Sequence, residues 1–285
     1  MSIVHWNRPQ ECIATVKMFL AQNIPLEISV IDNCSSQENF TILKENLPSN
    51  VTLIRLEENQ GWGVAHNIVL EKWLETDKSP YCFISAHDSL PEPDCLKMLL
   101  ESMNANPSFG MLCPQYKEYS LPKYSPLKFV RFVPSTAPTT GKVEEIDFPH
   151  GTLIVYRKKC IQEIGLYDKR YFAYGDEIEL GLRARLHKWK VGILSGAVLT
   201  NPISGTPKAI VNYLIARNSL LMAKKYGGLH ISYLRALLIL FSSFKKLFSV
   251  AEYRNFKVLL QSFFYPRYVA VNDYLNSRYG LKRIF

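Results

Sequence analysis

Three carboxylates follow an aromatic run in residues 165–189, which read GLYDKRYFAYGDEIELGLRARLHKW. They are Asp176, Glu177 and Glu179, and Gly175 provides a flexible backbone position directly before them. Apolar residues then recur at helical spacing, at Ile178, Leu182, Leu186 and Trp189. The acids therefore fall in the first turn of a predicted helix, where the helix dipole stabilises negative charge. A carboxylate held there beside aromatic rings suits a general base, although acids are also ordinary residues at a helix start.

A single carboxylate, Asp88, follows the apolar run Tyr81–Ser85, which predicts a buried strand. An aspartate just past a central strand is well placed to hold a hard divalent cation between two phosphates. The alternative is a helix N-cap, and Asp94 fits that role for a helix predicted at Cys95–Asn104. We therefore predict that Asp88 is a metal-site or phosphate-site residue.

A glycine-rich stretch at residues 58–67, ENQGWGVAHN, supplies a third group of polar residues. It lacks the third glycine and the acidic partner of a dinucleotide fingerprint, which argues against a dinucleotide cofactor. Gly61 and Gly63 let the backbone approach a ligand closely, and Asn59 and Asn67 supply donors and acceptors on either side. The alternative is a loop that caps a helix predicted at residues 64–75.

Alternating strands and helices must position these groups. Residues 1–56 predict β-α-β-α-β, with strands at Ser2–Trp6, Glu27–Ile31 and Val51–Leu56. Such alternation is typical of a parallel sheet covered by helices. The second strand runs into Asp32, and ligands bind at the carboxyl edge of open sheets of this kind. We therefore expect a ligand site at that edge.

The stretch 165–189 resembles the G-L-F-D-E-x-F-F-x-Y-x-E-D-x-D-L-x-x-R pattern of glycosyltransferase family 2, especially its rhamnosyltransferase-like branch. In that family the second acid of the Glu-Asp pair is the catalytic base. The corresponding pair here is Asp176-Glu177, in inverted order. The resemblance therefore places the base on Glu177 and leaves Asp176 as the alternative.

Other motifs of the family fall on residues upstream. The segment from Asn59 through Gly61 to Asn67 resembles its N-x-G-F-x-x-x-x-N motif, and His87-Asp88 resembles its version of the DxD metal motif. The resemblance covers residues 1 to about 225. It implies a nucleotide-sugar site formed by His5, Asn7, Asp32, Asn59, Gly61, Asn67, His87, Gly151 and Arg217.

The resemblance also implies roles for these residues. His5 and Asn7 would flank the base of the nucleotide, and the residues expected to hold the nucleoside and ribose are Asp32, Asn59 and Asn67. Gly151 would precede a strand that faces the donor sugar. Arg217, in a Y-x-x-R-N helix, would pair with the diphosphate as a bidentate donor.

The composition describes a globular chain rather than a disordered one, with 285 residues of which 47% are hydrophobic and 21% charged. That length suffices for one large or two small domains. The six cysteines show neither CxxC spacing nor a paired framework. We therefore expect reduced, mostly buried thiols in a cytoplasmic protein and no zinc site.

The net charge of +9 belongs to the last part of the chain. Residues 224–285 carry eleven Lys and Arg against two acids, whereas the preceding 223 residues are neutral. A basic segment predicts an anionic partner, either lipid head groups or nucleic acid. We predict an interfacial amphipathic helix at Leu229–Val250, peripheral on the cytoplasmic membrane face, with a helix packed on the catalytic domain as the alternative. The uninterrupted apolar stretch, Ala236–Phe241, is too short to span a bilayer.

The resemblance implies a GT-A fold, an α/β architecture with a mostly parallel sheet between helices and a Rossmann-like nucleotide-binding half. We expect this catalytic domain at residues 1–225 and a helical, basic extension at 226–285. The implied activity is inverting transfer of a sugar from a UDP- or dTDP-sugar to a hydroxyl of a polysaccharide or lipid-linked glycan, with Mg²⁺ or Mn²⁺ as cofactor.

Two other functions stay open. One is a non-catalytic nucleotide-sugar-binding subunit of a glycan-assembly complex, which the inverted acidic pair would suit. The other is a nucleic-acid-binding protein, argued from the basic tail. The neutral body and the aliphatic content of the tail count against nucleic acid as a partner.

Overall fold

The computed structural model describes residues 1–76, 78–116, 118–201, 205–248, 258 and 260–278. The β-α-β-α-β pattern predicted for residues 1–56 is confirmed. The elements up to residue 105 are β1 (Ser2–His5), α1 (Pro9–Leu20), β2 (Ser29–Asp32), α2 (Gln37–Asn46), β3 (Thr52–Arg55), α3 (Trp62–Leu74), β4 (Tyr81–Ala86), β5 (Leu90–Pro91) and α4 (Cys95–Ala105).

In the rest of the described chain, the Pro-, Ser- and Thr-rich connection before residue 147 forms three strands, in agreement with the mixed strands that its sequence predicts. The longest of the strands in this part of the chain runs from Lys190 to Thr200. The elements are β6 (Phe109–Tyr116), β7 (Ser120–Ser125), β8 (Phe129–Pro134), β9 (Val143–Glu145), β10 (Leu153–Arg157), α5 (Lys158–Ile164), α6 (Asp176–Leu186), β11 (Lys190–Thr200), α7 (Lys208–Phe248), a π-helical turn (Leu260–Phe264) and α8 (Tyr265–Leu275).

One large sheet carries the fold, with the strand order β3-β2-β1-β4-β10-β6-β11-β5 and β9 paired to β11. Its first four strands are parallel, and so are β6 and β11. β10 lies antiparallel between β4 and β6. The predicted α/β class, a mostly parallel sheet covered by helices, is confirmed.

Apolar side chains pack on both faces of this sheet. Phe83 and Leu112 belong to a core that includes side chains of α1, α2 and α4, whereas their neighbours Ile84 and Met111 belong to a core with α3, α5 and α6. Successive strand residues point to opposite faces, which explains the division. Burial on both faces fixes the strand register, and hence which residues reach the carboxyl edge.

Two local expectations are wrong. Asp94 precedes α4 as predicted, but its backbone is left-handed (φ 62°) and its side chain makes no capping hydrogen bond. Helix α6 begins at Asp176 as predicted, yet Leu186, placed on its apolar face, is 69% exposed and Trp189 lies beyond the helix. The six cysteines are free, and all but Cys34 are buried, as expected.

The chain divides into two compact units. The first comprises Met1–Lys123, Phe132–Lys169 and Glu177–Pro202, and contains the sheet. The second comprises Tyr124–Arg131, Arg170–Asp176 and Ile203–Phe285. The domain boundary predicted between residues 225 and 226 falls inside α7.

Helix α7 bends at Gly228, whose backbone (φ 85°, ψ 172°) is not helical. Among the described residues, one helix, Lys208–Leu247, has the length and apolar composition of a membrane span, with a mean hydropathy of 1.3 in its most apolar window. The end of the predicted interfacial helix, residues 249 and 250, lies outside the described residues.

Candidate active site

Glu177 lies at the carboxyl edge of the sheet, next to the glycine that leads into β10. Because β10 is antiparallel to β4, its first residues lie at this edge. β10 runs antiparallel to β4, with Leu153 opposite Ser85. The hydroxyl of Ser89 donates to the carbonyl of Thr152 at 2.9 Å, which joins the start of β10 to the loop after β4. A Cβ added to Gly151 would lie 3.2 Å from Cγ of Glu177. The carboxylate of Glu177 therefore lies against the glycine backbone that leads into β10.

Tyr116, at the end of β6, connects the two predicted acids of the site. Its hydroxyl hydrogen bonds to Oγ1 of Thr152. Burial raises the pKa of Tyr116, and the negative charges of Asp88 and Glu177 raise it further. Asp88 and Glu177 therefore both lie within electrostatic range of the Tyr116 hydroxyl. The sequence analysis missed Tyr116, although the apolar run Met111–Cys113 shortly before it was a usable signal of a strand end.

Aromatic rings flank this phenol on one side. Tyr116 meets His150 edge-on with ring centroids 4.5 Å apart, and His150 stacks on Phe132 at 5.2 Å. Burial lowers the pKa of His150 to about 4, so its ring is neutral at pH 7. The three rings form an apolar wall next to Gly151.

The two candidate bases differ in accessibility. Asp176 is 2% exposed, whereas Glu177 is half-buried. A general base must come within hydrogen-bond reach of the proton that it removes. Glu179, the third acid, is fully buried and binds Arg183 at 2.7 Å, which is the i,i+4 pair typical of a structural role. The greater exposure of its side chain therefore favours Glu177 over Asp176 and Glu179 as the general base.

The loop before α6 is held from α7 within the second unit. Phe172 and Tyr174 have positive φ (64° and 62°), a conformation that side-chain-bearing residues rarely adopt. Nδ2 of Asn218 donates to the carbonyls of Tyr171, Ala173 and Tyr174 at 2.9, 2.7 and 3.1 Å. The two N–H groups of this amide are thus shared among three loop carbonyls and stabilise this backbone.

The expected diphosphate contact of Arg217 is wrong for this structure. Its side chain is fully buried, and Nη2 donates to the carbonyls of Arg170 and Tyr171 at 3.0 and 2.9 Å. A guanidinium enclosed in this way supports the loop rather than a phosphate. The sequence motif identified Arg217 as a hydrogen-bond donor but could not show which acceptor it binds.

His5 and Asp32 form a buried pair at the ends of β1 and β2. Nδ1 of His5 donates to Oδ1 of Asp32 at 3.0 Å, and Nε2 accepts from the backbone N–H of Arg8 at 3.1 Å. Burial by itself would raise the pKa of Asp32, but the hydrogen bonds from His5 and Ser35 outweigh it and lower the pKa. Since neither side chain is exposed, His5 does not flank a nucleotide base as expected.

Trp6 and Asn7 extend from the same strand end into solvent. Trp6 follows the last residue of β1 and is 41% exposed, whereas all four residues of the strand, including His5, are buried. Asn7 is exposed with a positive φ of 54°, and its Oδ1 accepts from the backbone N–H of Ser36 at 2.8 Å. The accessible ring at this edge is therefore Trp6, which the sequence analysis did not select.

Asn33 organises the glycine-rich loop. Its Nδ2 donates to Oδ1 of Asn59 at 2.9 Å and to the carbonyl of Gly61 at 3.0 Å, while its Oδ1 accepts from the N–H of Gln60. Gly61 has φ 86° and precedes α3, so this turn requires glycine. The expected ligand residue Asn67 instead binds the backbone of Tyr167 through both amide atoms, at 3.0 and 3.1 Å.

Asp88 lies just past β4, as predicted, but with a partner that the sequence did not suggest. Nη1 of Arg8 is 3.3 Å from Oδ2 of Asp88, and Nη2 of Arg8 is 2.8 Å from Glu11. His87 donates from Nδ1 to the carbonyl of Val4 at 3.2 Å. Its buried Nε2 therefore presents a lone pair, for which the described residues offer no hydrogen-bond partner.

No group of three or more His, Cys, Asp or Glu that could hold a metal ion occurs among the described residues. Asp88 and the lone pair of His87 remain as two neighbouring candidate ligands at this edge. Mg²⁺ usually keeps several waters and is bound by one or two carboxylates together with substrate phosphates. The donor set therefore fits a cation that arrives with a diphosphate rather than one that the protein holds alone.

The comparisons with known proteins were made on sequence and on structure. A family model described as Glycosyltransferase like family 2 matches residues 1–215. A comparison with curated proteins found no match.

Solved structures share the fold at low sequence identity. A crystal structure of GalNAc-T7 with UDP, GalNAc and Mn²⁺ matches with a TM-score of 0.58 and 15% identity, over 82% of this chain and 53% of that one. The mannosyltransferase PcManGT from Pyrobaculum calidifontis, in complex with GDP-Man and Mn²⁺, matches with a TM-score of 0.57 and 13% identity, over 96% of this chain and 86% of that one.

S. aureus TarS matches with a TM-score of 0.50 and 15% identity, over 85% of this chain and 42% of that one. The chain thus spans about half of the length of GalNAc-T7 and less than half of TarS. At these identities the likeness concerns the fold.

Proposed function

Because the chain belongs to the family described as Glycosyltransferase like family 2, we propose that it transfers a sugar from a nucleotide diphosphate donor to a hydroxyl group of a glycan, with inversion at the anomeric carbon. The observation that carries the proposal is the position of Glu177. This carboxylate is half-buried at the start of α6 and lies against Gly151 at the carboxyl edge of the sheet, and both it and Asp88 raise the pKa of Tyr116.

The reaction needs a base on one side of the donor sugar. Glu177 accepts the proton of the acceptor hydroxyl as its oxygen attacks the anomeric carbon, and the bond from that carbon to the diphosphate breaks. The helix N-terminus stabilises the ionised form of the carboxylate before the reaction. Direct displacement by the acceptor inverts the configuration, because a single substitution occurs at that carbon.

The nucleotide would bind at the ends of β1 and β2. Trp6 offers an exposed ring for the base, and the turn held by Asn33 presents backbone beside it. The buried His5–Asp32 pair joins the ends of β1 and β2 and thereby holds the backbone at this edge in position.

A divalent cation is part of the proposal, because the donor set after β4 fits one. Asp88 would hold it together with the donor diphosphate, and the lone pair of His87 is a further ligand. The cation would neutralise charge on the leaving diphosphate. Arg8, already paired with Asp88, contributes a second positive charge at the same place.

The finer identity of the substrates rests on the sequence resemblance. We propose a UDP- or dTDP-sugar donor, a rhamnosyl or hexosyl group, and a polysaccharide or lipid-linked acceptor. The experiment is release of the nucleoside diphosphate from a panel of UDP-, dTDP- and GDP-sugars, with and without Mn²⁺ and a set of glycan acceptors. The anomeric configuration of the product is read by NMR.

Acceptor-dependent release, with an inverted product, supports the proposal. Donor binding in a thermal-shift assay without turnover by any acceptor would instead favour the non-catalytic nucleotide-sugar-binding subunit. A product with retained configuration would reject the displacement step, because Glu177 would then not act as a simple base.

A further inference from the structure

The part of α7 after the bend at Gly228 is an amphipathic helix whose apolar face points outward. We call residues 229–248 the terminal segment of α7. Besides Leu229 at its first position, its exposed large apolar side chains are Tyr233, Leu234, Leu237, Leu238, Phe241 and Phe244, and we call these six the outer face. Their spacing follows the helical period, so they share one side. Leu237 and Phe241, at its centre, are 65% and 68% exposed.

The opposite side of the terminal segment packs inside its own unit. The buried residues there are Ser232, Ala236, Ile239, Ser243 and Leu247. The hydroxyl of Tyr274 in α8 donates to Oγ of Ser232 at 2.8 Å, and Nη2 of Arg267 donates to Oγ of Ser242 at 3.1 Å. Three of these five buried residues are small (Ser232, Ala236 and Ser243) and two are aliphatic (Ile239 and Leu247), whereas the six large side chains of the outer face are in contact with solvent. A surface helix usually directs its large apolar side chains towards the core.

Positive charge brackets the outer face at both ends. Lys224 and Lys225 precede the segment and Lys245 and Lys246 follow the face, and all four side chains are exposed. The sequence contains no acidic residue between Glu179 and Glu252. A second copy of this face would bring lysines against lysines, whereas an anionic surface would complement them.

We propose that the outer face of α7 inserts into the head-group and acyl boundary of an anionic membrane, and that the flanking lysines contact lipid head groups. Helices of this kind lie in the interface plane and do not cross the bilayer. The terminal segment is suited to lying flat because its other side is occupied by α8 and by the polar contacts of Ser232 and Ser242. The half-buried Arg235, which donates to the carbonyl of Leu127 at 2.6 Å, also opposes full insertion.

The test is flotation of the full chain with vesicles of phosphatidylcholine alone or mixed with phosphatidylglycerol. The double variant Leu237→Ser/Phe241→Ser removes apolar area from the centre of the outer face, where neither side chain is buried. We expect its partition onto anionic vesicles to fall at least about tenfold. The matched control is Leu186→Ser, at a similarly exposed leucine of α6 in the first unit, which should bind like the unmodified chain.

A second variant tests the charge. Lys224→Gln/Lys245→Gln removes one lysine at each end, and each basic residue near an anionic surface contributes about fivefold in binding at moderate salt. We expect a loss on the order of 25-fold on the mixed vesicles and little change on pure phosphatidylcholine.

Four outcomes would overturn the proposal. They are no vesicle binding by the unmodified chain, equal binding by the double serine variant, equal binding to neutral and anionic vesicles, and resistance of the membrane-bound protein to alkaline carbonate, which would indicate a spanning helix. A dimer in solution that the serine variant dissociates, without vesicle binding, would assign the face to a second copy. No donor or acceptor is needed, so a negative result leaves the transferase proposal untouched.

Discussion

Arg8 and Asp88 form an ion pair at the carboxyl edge of the sheet, with Nη1 of Arg8 3.3 Å from Oδ2 of Asp88. Asp88 is largely buried, and Arg8 also binds the more exposed Glu11. The carboxylate assigned to a cation is therefore already partly neutralised. A cation that binds there must compete with this guanidinium or share the carboxylate with it.

Replacing Asp88 should remove the effect of the cation on donor binding. Asp88→Asn keeps the size of the side chain and loses its charge, so Mn²⁺ loses its one charged protein ligand at this edge. Isothermal titration should show that Mn²⁺ tightens binding of the nucleotide sugar to the unmodified chain and no longer does so in the variant. Glu11→Gln is the control, since it also removes an acid from Arg8 but lies outside the assigned donor set. An unchanged Mn²⁺ dependence in Asp88→Asn would exclude Asp88 as the ligand.

The identity of the base can be tested with a matched pair of variants. Glu177→Gln should lower kcat by about 10²–10⁴-fold with nearly unchanged donor affinity, because general-base assistance is lost while the contact surface stays. Asp176→Asn should have a smaller effect on kcat and a larger one on stability, since Asp176 is almost fully buried. The reverse ranking of the two kcat values would move the base to Asp176. Full turnover in both variants would remove the chemical basis of the proposed reaction.

Gly151 should control the position of Glu177. Alanine there would place its Cβ 3.2 Å from Cγ of Glu177, which is closer than an ordinary contact. A displacement of about 1 Å can cost about 100-fold in rate, so Gly151→Ala should lower kcat with little change in donor affinity. Combining it with Glu177→Gln should add almost nothing to the loss from Glu177→Gln alone. Additive losses would show that the glycine acts elsewhere.

Trp6 should bind the base of the nucleotide. Trp6→Ala should weaken donor binding about two- to tenfold, as expected when one aromatic stacking partner is lost, with kcat almost unchanged at saturating donor. Trp6→Phe should retain most of the affinity because it keeps a ring. Equal donor affinity in all three proteins, measured by titration, would place the base elsewhere on this edge.

Protonation of His66 in the unfolded chain should make the folded state less stable in acid. Burial lowers the pKa of His66 from 6.5 to about 3, and its Nδ1 is 2.8 Å from Oγ of Ser2. The unfolded chain therefore binds a proton at this residue below pH 6.5, whereas the folded chain does not until about pH 3. Stability from this residue is complete above pH 6.5 and is lost as the pH falls, by about 2 kcal/mol between pH 7 and pH 5.

Denaturant titrations across pH 5–8 measure this dependence. His66→Gln keeps a polar group near Ser2 but cannot gain a proton, so its unfolding free energy should change less with pH. The same slope in the variant and the unmodified chain would assign the acid sensitivity to other groups.

The order and type of the early elements could be predicted because the signal for them is local. Alternation and apolar runs identified β1 to β4 within a few residues, and the acids after Gly175 marked the start of α6. The insertion of β10 between β4 and β6 could not be predicted, because pairing between strands distant in sequence leaves no local pattern. That insertion is what brings Gly151 and Glu177 to the edge that carries Asp88.

The individual roles of motif residues were harder to predict than their positions. His5 and Trp6 are neighbours in sequence, yet His5 ends β1 and is buried against Asp32, whereas Trp6 lies just past the strand and is exposed. Arg217 and Asn67 are donors whose partners, the backbone of the 170–174 loop and of Tyr167, depend on tertiary packing. A motif specifies a donor but not what it binds.

The position of β6 in the sheet also determines the order in which the chain can fold as it leaves the ribosome. β1 to β4 can pair as soon as they are made, but both neighbours of β6, β10 and β11, are encoded after it. Until residue 200 is synthesised, β6 carries an unpaired apolar edge, which can recruit strands from other nascent chains. Translation that pauses between residues 116 and 190 should therefore yield aggregated protein, whereas a pause before residue 109 should not.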